Sequence, residues 1–122
     1  MSDSIKEAFL LACSQGNLER LRAAVTLGVD VNVKGGPWGG SGLAIAISAN
    51  REHIVKELMA NPKVDVNATD KDGDNAMAEA CANGRIWAVK ILAKASTFKG
   101  INQKGNFGRT PLIWAVRGGI VV

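Results

Sequence analysis

Asp70, Asp72 and Asp74 alternate with Lys71 and Gly73, the pattern with which a calcium loop opens. Such a loop closes on a bidentate glutamate at its twelfth position. Counting from Asp70, that position is Cys81, so no calcium site is expected. The glycine-rich stretch Gly35–Gly42 invites comparison with a phosphate-binding loop, but the Lys-Ser/Thr pair that reaches phosphate and magnesium does not follow it. It reads as a turn. His53, the sole histidine, is flanked by Arg51, Glu52 and Lys56 and is expected to face solvent. Catalysis needs a nucleophile, a base or a metal within mutual reach, and these residues assemble none. No catalytic residue, metal or cofactor is expected.

Whatever these residues do, they are positioned by repetition. Ala12, Ala46, Ala80 and Ala115 recur at intervals of 34, 34 and 35, and Gly16, Asn50, Gly84 and Gly119 keep the same steps. Val31-Asn32, Val66-Asn67 and Ile101-Asn102 recur at 35 and 35. Three landmarks sharing one period define a solenoid of helix–turn–helix units. A first helix is predicted over Ala8–Ser14, Leu43–Ala49, Met77–Ala82 and Pro111–Arg117, with Pro111 at a helix start, where it is tolerated. Gly or Asn then supplies a left-handed turn. A second helix follows over Leu18–Thr26, Glu52–Ala60 and Ile86–Ala95, its apolar residues at helical spacing. The polar, Gly-rich stretches Val33–Gly42, Ala68–Asn75 and Gln103–Thr110 read as hairpin-like turns.

The repeats resemble those of the ankyrin family, and the resemblance covers essentially the whole chain. Its residues are Thr110-Pro111-Leu112-Ile113-Trp114-Ala115, the glycine turns Gly16 and Gly84, and the Asp-Val-Asn signature at Asp30-Val31-Asn32 and Asp65-Val66-Asn67. The most specific stretch is Val66-Asn67-Ala68-Thr69-Asp70-Lys71-Asp72-Gly73. The resemblance implies an all-α solenoid in a single domain, residues 1–122, with repeats near 5–34, 35–69 and 70–104 and a partial repeat over 105–122.

Departures from the family pattern carry expectations of their own. The second repeat has Ser41-Gly42-Leu43-Ala44, the third Asn75-Ala76-Met77-Ala78, and the fourth has Ile113 where the family motif has histidine. The hydroxyl–imidazole bond of the motif is absent throughout, so the first helices should start less firmly, at ~1 kcal/mol for each lost cap. The first turn is enlarged: Asn32 to Ala46 is 14 steps, against 13 for Asn67 to Ala80. Glu79 stands where the other copies carry Leu11, Ile45 and Trp114, so it should either loosen the third repeat or find a cation such as Arg85 or Lys90. Cys13 and Cys81 hold equivalent places in repeats separated by roughly 20 Å. A disulfide needs Cα atoms within about 7 Å, so two buried free thiols are expected.

Charge is unevenly spread. The total is +4, but residues 1–84 hold 8 basic and 11 acidic side chains while residues 85–122 hold 7 basic and none acidic. Two readings of that basic block stand side by side, an acidic partner or balancing acids on sequence beyond the chain. Hydrophobic residues at 47% and charged residues at 21% fit an ordered globular chain. No apolar run approaches the roughly 18 residues of a membrane span. The opening Met1-Ser2-Asp3-Ser4 lacks the basic start of a signal peptide, so a soluble, cytoplasmic protein is expected, with the nucleus also open.

The functional residues that the resemblance implies lie on the turn tips and the exposed side of the first helices. They are Pro37 and Trp38 on the first tip, Lys71, Asp72 and Asp74 on the second, and Asn106, Phe107 and Arg109 on the third, with Ser48, Asn83 and Arg117 from the helices. Trp38, set between Pro37 and Gly39, and Phe107, between Asn106 and Gly108, have the character of contact anchors. The expected function is a non-enzymatic protein–protein interaction module, with the basic end steering it to an acidic protein. The alternative is a nucleotide or single-strand oligonucleotide sensor, using aromatic tips flanked by Lys34, Lys71 and Arg109; nucleic acid is the less expected partner. Trp114, Val116, Ile120, Val121 and Val122 have little polar cover. That face should be covered by further repeats or by a second copy of the chain.

Overall fold

After the first, each helix begins at a residue whose side chain accepts from its first backbone N–H donors, or at an arginine that reaches back to the unit before it. The computed structural model describes residues 3–95. In order these form α1 (Asp3–Gln15), α2 (Leu18–Thr26), β1 (Lys34–Gly35), β2 (Gly40–Ser41), α3 (Gly42–Ser48), α4 (Glu52–Met59), α5 (Ala76–Ala82) and α6 (Ile86–Ala93). The second helices match their predicted starts. α1 begins earlier than Ala8 because Ile5 still packs against the core and draws another turn into the helix. The predicted helix Pro111–Arg117, the partial fourth repeat and its apolar face lie outside the described residues.

The periodic landmarks have physical causes. Gly16, Asn50 and Gly84 take φ of 74°, 62° and 68°, the left-handed conformation that reverses the chain between paired helices. Ala12, Ala46 and Ala80 are fully buried where α1, α3 and α5 pack side by side, a place with room for a methyl group. In the Asp-Val-Asn signature, Asp30 Oδ1 accepts from the Asn32 N–H, and Asp65 Oδ1 from the Asn67 N–H, each at 2.9 Å. The intervening Val31 and Val66 are buried. Asn32 then bridges to the next unit, donating to the Lys63 carbonyl and accepting from the Asp65 N–H, both at 2.7 Å.

The expected weakness of the first helices is corrected for α3 and α5, which carry side-chain caps. Ser41 Oγ accepts from the Ala44 N–H at 3.3 Å, and Asn75 Oδ1 accepts from the Ala78 N–H at 2.9 Å. Asn75 is buried, so its amide does the work that the missing hydroxyl–imidazole pair was expected to leave undone. Asn17 likewise caps α2 through the Arg20 N–H.

α4 and α6 start without a side-chain cap at their own first turns. Their arginines reach back instead. Arg51 Nε donates to the Ser14 carbonyl at 3.0 Å, and Arg85 donates to the Ile47 and Ser48 carbonyls at 3.3 and 3.1 Å. Rings two residues on repeat the pattern. His53 Nε2 lies 2.8 Å from the Gly16 carbonyl, and Trp87 Nε1 donates to Asn50 Oδ1 at 2.9 Å. His53 is exposed, but its ring is anchored to the preceding unit rather than left to solvent.

Candidate functional site: an acidic groove beside an exposed tryptophan

α1, α3 and α5 form one row, and the β1–β2 hairpin and the 69–75 turn stand at its edge. Lys34 pairs with Ser41 and Gly35 with Gly40, so the four residues between the strands form a protruding tip. The Lys71 N–H donates to the Trp38 carbonyl at 3.0 Å, tying this tip to the next. The Lys71 stem crosses Gly39 so closely that a Cβ there would lie 2.9 Å from Lys71 Cγ. Row and tips together enclose a groove of about 760 Å³.

Its floor is apolar, with Leu10 and Leu11 from α1 and Ala44 and Ile45 from α3. At its mouth Trp38 is 69% exposed, so the ring does not fold back onto the next unit. Ser14, Ser48 and Asn83 add polar atoms. Five acidic residues line the same space: Glu7, Asp70, Asp72, Asp74 and Glu79. No lysine or arginine is among the described residues lining it.

Glu79 is explained by this groove and not by the core. Leu11 is 49% exposed and Ile45 half-buried, so the helix position that these three residues share faces the groove. Glu79 is met by an amide and not by the expected cation. Its carboxylate accepts from Asn83 Nδ2 at 3.1 Å, while the Arg85 guanidinium is engaged with the carbonyls of α3. Burial pushes its pKa above the ordinary value, Asp70 and Asp74 push it further, and the Asn83 hydrogen bond opposes them.

A raised folded-state pKa means stability that is present below the ordinary glutamate value and lost as pH rises through the folded value. Glu79→Gln keeps an acceptor for Asn83 and removes that loss. Its melting temperature should exceed the parent's at about pH 7, and the difference should close at about pH 4. Parallel thermal melts measure it, and a pH-independent difference would remove the groove from the explanation.

Of the residues expected to bind a partner, Pro37, Trp38, Ser48, Asp72, Asp74 and Asn83 line this one groove. Lys71 is exposed at its edge but does not line it. Asn106, Phe107, Arg109 and Arg117 lie outside the described residues. Glu7, Leu10 and Leu11 were not expected; the signal was that Leu11 shares a repeat position with Glu79. Lys34, assigned to phosphate in the alternative reading, donates its ammonium to the Thr69 carbonyl. The Asp70, Asp72 and Asp74 carboxylates lie within 4.8 Å of one another. Asp70 Oδ1 closes their own turn, accepting from the Asp72 and Asp74 N–H groups at 2.9 and 3.0 Å.

Cys13 and Cys81 are buried and unpaired, as expected. Burial raises the Cys13 thiol to about 12 and moves Cys81 in the same direction, which keeps both protonated and unreactive. No helix among the described residues is long and apolar enough to cross a membrane.

A family model described as ankyrin repeats (3 copies) matches residues 9–103 and, in a second register, residues 43–121. No curated protein matches the chain at a significant level.

Proposed function

The chain belongs to the ankyrin-repeat family, and from that premise we propose that it is a non-enzymatic module that binds another protein through the groove between its turn tips and first helices. Ankyrin repeats are generally protein–protein interaction modules. The observation that carries the reading for this chain is Trp38, a large ring exposed at the mouth of a groove floored by leucine and isoleucine. A rigid aromatic beside apolar floor offers contact area at small entropic cost. The oligonucleotide alternative is not favoured, because the groove presents carboxylates where phosphates would need cations. The acidic-partner expectation rested on the basic block, whose Lys99, Lys104, Arg109 and Arg117 lie outside the described residues. Two unpaired, buried thiols support placing the protein in a reducing compartment, the cytoplasm or nucleus.

Trp38→Ala should weaken partner binding by ~1–2 kcal/mol while leaving the melting temperature unchanged, since the ring packs against little. The experiment is affinity capture with the parent chain and this variant in parallel, followed by titration of the captured protein. Equal capture by both would overturn the groove reading, and so would an equal loss of stability in the variant, which would make Trp38 a packing residue.

A further inference from the structure

We propose that the groove takes an extended, cationic segment of a partner protein, with a lysine or arginine set against Trp38 and the carboxylates while a neighbouring apolar side chain rests on Leu10 and Leu11. This rests on the groove being the binding surface. Charge complementarity identifies the occupant. The carboxylates come from opposite ends of the groove, Glu7 on α1, the 70–74 tip, and Glu79 on α5. No described cation lines the space between them, because Lys34 is held by the Thr69 carbonyl and Lys71 lies along Gly39 at the edge. An acidic segment would meet like charge on both sides, and a neutral one would leave the field unused. Lysine and arginine suit the mixed lining, since their apolar stems can lie on the floor and their heads can reach an aromatic face or a carboxylate.

Shape sets the length. Three packed first helices at about 10 Å each span roughly 20 Å between the outer axes. An extended chain covers that with about six residues at ~3.3 Å per residue. A free amino acid or a lone metal ion would leave most of the groove empty; a short peptide segment fills it.

The test uses the full chain as bait for a displayed library of random peptides about seven residues long. Recovered peptides are synthesised and titrated by fluorescence anisotropy against three proteins: the parent, a groove-blocked variant (Leu11→Gln with Trp38→Ala) and a charge-neutralised variant (Glu7→Gln, Asp72→Asn and Glu79→Gln). Each neutralising change keeps the size of its side chain and leaves the Asp70 turn intact. The expected peptides carry net positive charge beside an apolar residue. Their affinity should fall roughly tenfold on neutralisation and several-fold as salt rises from about 0.05 to about 0.5 M.

Peptides that need Leu11 and Trp38 but are neutral or acidic, or that ignore salt, overturn the cationic inference and leave the groove reading standing. Failure to recover any peptide sensitive to the groove-blocked variant overturns both. The salt titration of the parent decides the question by itself if the neutralised variant does not fold.

Discussion

Phe9→Ala is expected to lower stability by about 3–5 kcal/mol, the cost of emptying a buried phenylalanine site that cannot collapse. Phe9 is fully buried, and its ring sits against the start of α3, where a Cβ added to Gly42 would lie 2.8 Å from Phe9 Cε2 and 2.9 Å from Cys13 Sγ. Gly42 is glycine because α1 approaches it this closely, which makes the pair a test of the contact itself. Gly42→Ala alone should destabilise, by ~1–3 kcal/mol for overpacking. In the Phe9→Ala background the same change should cost little or regain stability, since the added methyl enters the vacated space. Urea denaturation of the four proteins closes the cycle. Additive losses would mean that Phe9 and Gly42 act apart and that α1 and α3 are not held by this ring.

The features legible in the sequence were those fixed by local backbone or by size. The turns at Gly16, Asn50 and Gly84 show because few residues tolerate φ near 70°, and Ala12, Ala46 and Ala80 show because the packed row admits only a small side chain. Trp38 could be picked as exposed because Gly36, Pro37, Gly39 and Gly40 give it nothing to pack on. The exposure of Leu11 and Ile45 was hidden by their apolar type, which says nothing of the direction they face. Successive helix residues are about 100° apart, so the neighbours of buried Ala12 and Ala46 turn toward the groove. The sign of the groove's charge was illegible, since it depends on bringing Glu7 together with a turn and a helix far along the chain.

The links between units were partly visible and still missed. Arg51 and Arg85 keep the 34-residue step, as do His53 and Trp87, but the second pair changes residue type and so hides its period. What repeats is a ring N–H aimed at the preceding unit's turn, a function that histidine and tryptophan share. A solenoid is a sum of unit stabilities and nearest-neighbour terms, and these donors belong to the second kind.

Arg51→Met should therefore cost about 1.5–3 kcal/mol, the range for hydrogen bonds to a charged group, although the longest part of the arginine stem is retained. The Ser14 carbonyl lies in the last turn of α1, where unpaired carbonyls and the negative end of the helix dipole both favour a guanidinium. Without it that carbonyl loses its partner in a half-buried contact, and α1–α2 is held to α3–α4 by packing, the Asn32 bridge, the His53 ring on the Gly16 carbonyl and the exposed Arg22–Glu57 ion pair. Arg85→Met should remove the equivalent link one unit on, where two carbonyls of α3 are served by one guanidinium. The two sites share no acceptor, so the double variant should lose the sum of the single losses to within about 0.5 kcal/mol. Its urea transition should also broaden as neighbouring units begin to unfold separately. Stability measured by circular dichroism and by Trp87 fluorescence, with Trp38 and Trp114 replaced by phenylalanine throughout, should then give different midpoints in the double variant and the same midpoint in its parent. Unchanged stability in both single variants would show that the arginines decorate the interface without holding it, leaving Phe9 and the buried alanines to couple the units.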